Sequence, residues 1–260
     1  MIITLSPSKG QDFDTPAPTD KYSIPEMLDD SRQLVHEAKK LDVKDIRELM
    51  DVSENIAILN VERFHTWQTP FTPENAKPAI FAFKGDVYSG IQIEAYTEED
   101  LEYAQEHLRI LSGLYGVLKP LDLIQPYRLE MKTKLNNPRG QNLYQFWGDR
   151  ITEMLNRDLE KQIEKVLVNL ASNEYFKAVK PKKLNGKLLN ITFKEIKNGE
   201  ARVVAIFAKR ARGMMADFII RNRIEHAEEI KEFGAGGYSY SPQESTEDNW
   251  VFTRPQPIKK

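Results

Sequence analysis

The chain contains no cysteine, which excludes disulfides, thiolate catalysis, zinc fingers and Cys-ligated iron–sulfur clusters. No run approaches the roughly 20 apolar residues of a membrane span, so no membrane partner is expected. The short apolar opening Ile2–Leu5 meets Pro7 with no charged region before it. It does not read as a secretory leader, and the cytoplasm is the expected compartment. Net charge is nearly absent: 37 Lys and Arg face 39 Asp and Glu, leaving −2. Any contact with nucleic acid must therefore come from a local patch. Histidine is scarce, with four in all. Glu62 and His65 form the Glu-x-x-His pair of di-iron bundles, but no other histidine follows a carboxylate by three residues. Glu62 is expected to be solvated and His65 to pack beside Trp67. No metal or cofactor is called for.

What is present is a globular mix, 40% hydrophobic and 29% charged over 260 residues, long enough for a sizeable core. Residues 2–5, 79–83, 166–170, 188–193 and 202–208 read as strands. Asn198-Gly199 between the last two is a hairpin signal. Pro25 opens a helix with Leu28, Leu34, Val35 and Ala38 on one face. Further helices are expected over 43–50, 53–67, 143–163 and 211–223. Thr97 caps another, whose Leu101, Ala104, Leu108 and Leu111 recur at helical spacing. Phe146 and Trp147 continue an apolar face and belong to the core. Residues 12–25 and 69–78 are proline-rich loops. The intermixed helices and strands predict one α/β (mixed α+β) domain over residues 1–260.

Two kinds of chemistry are legible. The first is a set of polar residues, most of them after strands, that a folded sheet can bring together at its strand ends: Ser6-Pro7-Ser8-Lys9-Gly10, Asp86, Asn169, Ser172, Glu174 and Lys209. Such residues can form an active site for a small anionic or nucleotide-like substrate, or can be ordinary polar turns. The GxxxxGK[ST] phosphate loop is absent. The second is clustered cations. Lys177, Lys180, Lys182, Lys183, Lys187 and Lys194 span 175–194 without an acid, and Arg202, Lys209, Arg210 and Arg212 span 201–216 likewise. Arg128, Lys132, Lys134 and Arg139 form a third run, opposed by Glu130. Each run alone can be a solvated face; folded together they would make a groove for phosphates. Ser112, Gly113, Tyr115, Gly116 and Lys119 have the parts of a helix-hairpin-helix, in which a glycine turn lets backbone N–H groups approach a phosphate. Their glycines are three apart rather than two, so a structural turn is the alternative.

Motifs along nearly the whole chain resemble the peroxide stress protein family also called UPF0246. They include Ser6-Pro7-Ser8-Lys9, Phe83-Lys84-Gly85-Asp86-Val87-Tyr88, the run from Leu111 to Leu123, and Gln125-Pro126-Tyr127-Arg128-Leu129-Glu130-Met131. Leu143-Tyr144-Gln145-Phe146-Trp147-Gly148, Asn169-Leu170-Ala171-Ser172, Glu174-Tyr175-Phe176-Lys177 and Ala211-Arg212-Gly213-Met214-Met215 carry it further. Ser8 departs from the alanine common in the family. The resemblance implies an unusual α/β fold with a central mixed sheet, a positively charged cleft and a helix-hairpin-helix-like element. It implies binding of duplex or branched DNA with little sequence preference, and resistance to peroxide through lower unincorporated iron. The hairpin would map to residues 111–121, and the cleft to Lys9, Lys180, Lys182, Lys183, Lys209, Arg210 and Arg212. No catalytic motif and no obligate protein partner is evident.

Overall fold

The computed structural model describes residues 1–257. Its central strand is β1 (Ile2–Leu5), all four residues fully buried. A strand without apolar–polar alternation is one covered on both faces. The chain leaves β1 through β2 (Gly10–Gln11) and the expected proline-rich loop. It then packs α1 (Leu28–Ala38), α2 (Val43–Met50) and α3 (Glu54–Thr66). Asp42 and Asp45 close α2 with a reciprocal cap. β3 (Lys77–Pro78), the turn α4 (Ala79–Ala82) and β4 (Phe83–Lys84) follow, with β4 antiparallel to β2.

α5 (Glu98–His107) is capped by Thr97 with Asp100 and feeds β5 (Leu108–Ser112), parallel to β1. β6 (Gly116–Leu118) folds back on β5, and β7 (Leu123–Ile124) pairs with β3. α6 (Leu143–Trp147) and α7 (Arg150–Leu159) lead to β8 (Val166–Asn169), on the opposite side of β1. After α8 (Asn173–Phe176) comes the long β9 (Lys187–Lys197), which hairpins into β10 (Glu200–Arg202). Then follow α9 (Ala205–Arg221), β11 (Ser239–Tyr240) and β12 (Asn249–Pro255). The main sheet runs β11-β12-β9-β8-β1-β5-β6, with β10 beside β9. Its centre is parallel and its edges antiparallel, so this is a single α/β domain with a mixed sheet.

The stretch expected to be a helix-hairpin-helix is instead a buried β-hairpin. α5 stops at His107, residues 108–110 pair with β1, and residues 110–112 pair with β6. Gly113 lies against the Leu129 backbone, and Gly116 adopts a φ of +69° under Trp147 and Met27. Leu101, Ala104, Leu108 and Leu111 fit helical spacing because a strand buried on both faces is continuously apolar and matches any period. Other elements shift for local reasons. Residues 79–82 form a helical turn rather than a strand. The helix expected over 143–163 breaks at Gly148, where φ is +53°. The strand expected over 202–208 ends at Arg202, and helix begins at Ala205. β12 lies in a segment with no strand expectation, and it pairs with β9 over seven residues.

Candidate functional site

The chain passes from β1 to β5 on one side, then to β8 on the other. That reversal creates a switch point at the carboxyl ends of β1 and β8, where open α/β sheets hold ligands. The Ser6–Gly10 turn emerges there. Ser6 Oγ accepts the Ser172 N–H at 2.8 Å and donates to Ser172 Oγ at 3.3 Å. The Ser6 carbonyl accepts the Tyr88 hydroxyl at 3.1 Å. Asn169 Nδ2 donates to Asn190 Oδ1 at 2.9 Å, and Asn169 Oδ1 accepts the Ala171 N–H at 3.0 Å. The Ser8 hydroxyl donates to the Lys84 carbonyl. Gly85, at φ +129°, permits this approach, because an added Cβ would lie 2.7 Å from Ser8 Oγ. Lys209 Nζ lies 3.7 Å from Asp86. Ser6 thus meets Ser172, Ser8 meets the Lys84–Gly85 turn and Lys209 meets Asp86, whereas the Glu174 carboxylate accepts the Lys132 N–H at 3.4 Å and Lys9 turns to Glu130.

Lys9, in the same turn, takes a different partner. Its Nζ is 2.7 Å from Glu130, and Arg128 Nε reaches the second oxygen of Glu130 at 3.4 Å. Glu130 is only 5% exposed. Burial pushes its carboxyl up, but the Lys9 hydrogen bond and the Arg128 charge overcome this and hold it below the usual carboxylate range. One buried acid therefore fixes two cations. Lys132 and Lys134 continue the patch. Met131, Thr133 and Leu135 are buried, and Lys132 and Lys134 between them are exposed; the Thr133 N–H closes a turn on the Glu130 carbonyl at 3.0 Å. Neither lysine has a carboxylate partner among the described residues. Lys9, Arg128, Lys132 and Lys134 line a recess of about 390 Å³ with Glu48, Asp51 and Glu130, four cations to three acids. Arg63 adds a further charge nearby. Burial first, and the neighbouring Arg128 second, push its guanidinium down.

The other predicted DNA contacts fare differently. Ser112 is fully buried; its Oγ bonds the Tyr127 hydroxyl at 2.7 Å and accepts the Leu114 and Tyr115 N–H groups. The Tyr115 hydroxyl accepts from Trp67 and Gln125, and the Gly113 carbonyl accepts the Trp147 indole at 3.0 Å. Ser112, Gly113, Tyr115 and Gly116 are core, out of reach of a phosphate, because their backbone and polar atoms are spent on internal partners. Lys119 is held by Glu26 at 2.8 Å and Arg109 by Asp158 at 2.6 Å. Lys180 and Lys183 lie against α7 and its start, where the Lys180 N–H bonds Thr152 and Lys183 pairs with Asp149 at 2.6 Å, and Lys182 between them is exposed. Lys209, Arg210 and Arg212 sit on α9. No hydrogen bond or ion pair among the described residues joins these two runs. The exposed His65 bonds the Val61 carbonyl through its ring at 2.8 Å. Among the described residues no group of three or more His, Asp or Glu could hold a metal ion.

Sequence reasoning missed the Glu130 clamp and the part of Arg63, because their partners are 121 and 65 positions apart (130 − 9 and 128 − 63). The one available signal was the lone Glu130 inside a basic run.

Residues 1–244 match the family model described as peroxide stress protein YaaA. A UPF0246 protein of Cellvibrio japonicus (strain Ueda107) is 52% identical over 258 residues, covering 99% of this chain and all of that protein. The chain belongs to the YaaA (UPF0246) family of peroxide stress proteins.

Proposed function

We propose that the protein serves peroxide-stress defence by holding the DNA phosphate backbone in the recess around Lys9, Arg128, Lys132 and Lys134. The observation that carries this reading is the buried Glu130, which anchors Lys9 and Arg128 beside two exposed lysines that have no carboxylate partner among the described residues. Cations fixed in place lose little freedom when a phosphate arrives, so their charge serves binding. Contacts of this kind position a protein on duplex or branched DNA and carry little sequence information. The near-zero net charge restricts attraction to this local surface. No helix-hairpin-helix takes part. In this reading unincorporated iron is lowered at the same time, which leaves less loose metal to make radicals beside the DNA.

Fluorescence anisotropy of a labelled duplex at several salt concentrations tests the reading. The logarithm of the binding constant should fall linearly with the logarithm of salt, by about 0.9 for each phosphate contacted. Absent or salt-independent binding would overturn it. Ferrous iron titrated into purified protein should show no stoichiometric uptake; tight uptake would move the iron role onto the protein itself.

A further inference from the structure

The recess around Lys9 leaves the hydroxyls of Ser6 and Ser172 without a use. Ser6 Oγ gives its one proton to Ser172 Oγ and accepts the Ser172 N–H with one of its two lone pairs. The Ser172 hydroxyl proton has no acceptor among the described residues, although a hydroxyl carries one proton to give. This donor lies at the switch point between β1 and β8.

Arg212 is the second unused group. It stands on the same side of α9 as the buried Ala208, Met215 and Ile219 and is itself half-buried. Burial pushes its guanidinium down, with no charged neighbour contributing. It has no hydrogen-bond acceptor and no carboxylate partner among the described residues. Arg109, Arg139 and Arg254, also well covered, are each held by an acid, Asp158, Asp30 and Glu195 respectively. A half-buried guanidinium that no protein acceptor holds keeps its N–H fork for a ligand, and an anion with oxygens in one plane fits it. Its place in the fold fits. One turn earlier Lys209 meets Asp86, and the next residue, Gly213, is pressed against the Val87 carbonyl, where a Cβ would lie at 1.8 Å. The following residue, Tyr88, bonds the Ser6 carbonyl. Arg212 is thus fastened to the same end of the sheet as the serine pair.

We propose that this end of the sheet is a second site, one that binds a small phosphate monoester through Arg212 and the Ser6–Ser172 hydroxyl pair. A phosphate has enough oxygens to take a bidentate guanidinium and a hydroxyl donor at once. The phosphate can belong to a free mononucleotide or to the 5′ end of a DNA strand. The site does not depend on the recess around Lys9.

Isothermal titration with AMP, with inorganic phosphate, and with a 5′-phosphorylated single-stranded oligonucleotide beside its unphosphorylated twin tests the proposal. One-to-one binding of AMP identifies a free nucleotide. A preference for the phosphorylated oligonucleotide alone identifies a strand end. Arg212→Met should weaken the binding about 10- to 100-fold and Ser172→Ala about 3- to 10-fold, with Arg212→Lys between wild type and Arg212→Met. Ser172→Ala keeps the test open if Arg212→Met fails to fold. The double substitution Lys132→Glu with Lys134→Glu should leave AMP binding unchanged while duplex affinity falls, which separates this site from the DNA surface. No saturable binding of any probe, or binding that neither Arg212→Met nor Ser172→Ala alters, would overturn the proposal.

Discussion

Replacing Glu130 by Gln preserves the shape of the side chain and removes the charge that anchors the recess. The wild-type carboxylate holds Lys9 at 2.7 Å and Arg128 at 3.4 Å. Breaking a fully buried ion pair costs about 3–5 kcal/mol, whereas an exposed pair contributes about 0–1 kcal/mol. Here the acid is buried, but the Lys9 side chain is 62% exposed and that of Arg128 19%. The cost should fall between, about 1–3 kcal/mol, or roughly 2–6 °C in Tm for a chain of this length. The sign of the pH dependence follows from the titration. Burial pushes the Glu130 carboxyl up, but Lys9 and Arg128 hold it net below its ordinary value of 4.5. Its stabilisation is complete above that value and drains away as the pH falls through the lower, folded-state value. Thermal unfolding of wild type and Glu130→Gln should therefore differ most near neutral pH and converge towards acid. Equal stability at neutral pH, or a gap that persists undiminished in acid, would refute the clamp.

Two further substitutions probe the hairpin and the core. In Gly113→Ala the new Cβ would lie 2.1 Å from the Leu129 carbonyl oxygen, a backbone atom that cannot swing aside; urea unfolding should show a loss of at least about 3 kcal/mol. Gly199→Ala meets nothing within 4 Å and pays only for its φ of +80°, about 1–2 kcal/mol; equal losses at the two sites would contradict the packed hairpin. Asp158→Asn strands Arg109, whose side chain is 3% exposed, and should cost about 3–5 kcal/mol by chemical denaturation. A loss below about 1 kcal/mol would mean that the pair is open to solvent.

How much was legible in the sequence depended on how local each signal was. The helix over 43–50, the strand Ile2–Leu5 and the cap at Thr97 are written in adjacent residues and appear in the structure. The Asn198-Gly199 turn also forms, with φ of +53° and +80°. Residues 108–112 were unreadable for a physical reason: a parallel central strand is apolar throughout, and only its partner β1, over a hundred positions away, decides against helix. The strand 249–255 is hidden for the same cause, since its register comes from β9. At the site, the turn after β1 and the residues Asn169 and Ser172 were visible as polar residues following strands. That Ser6 touches Ser172, and that Lys9 shares Glu130 with Arg128, depends on contacts between distant segments. The glycines at 113 and 116 misled because tight core packing and backbone approach to a ligand both require glycine.

The central claim is that phosphates are met at Lys132 and Lys134 rather than at the glycine hairpin or the lysines beside α7. The most direct measurement is the salt dependence of duplex binding for three proteins: wild type, the double charge reversal Lys132→Glu with Lys134→Glu, and the matching reversal of Lys182 and Lys183. The account predicts that the first reversal lowers the slope by about two and weakens binding steeply, while the second leaves the slope near wild type. An unchanged slope for Lys132→Glu with Lys134→Glu, with the loss falling on Lys182 and Lys183, would contradict it.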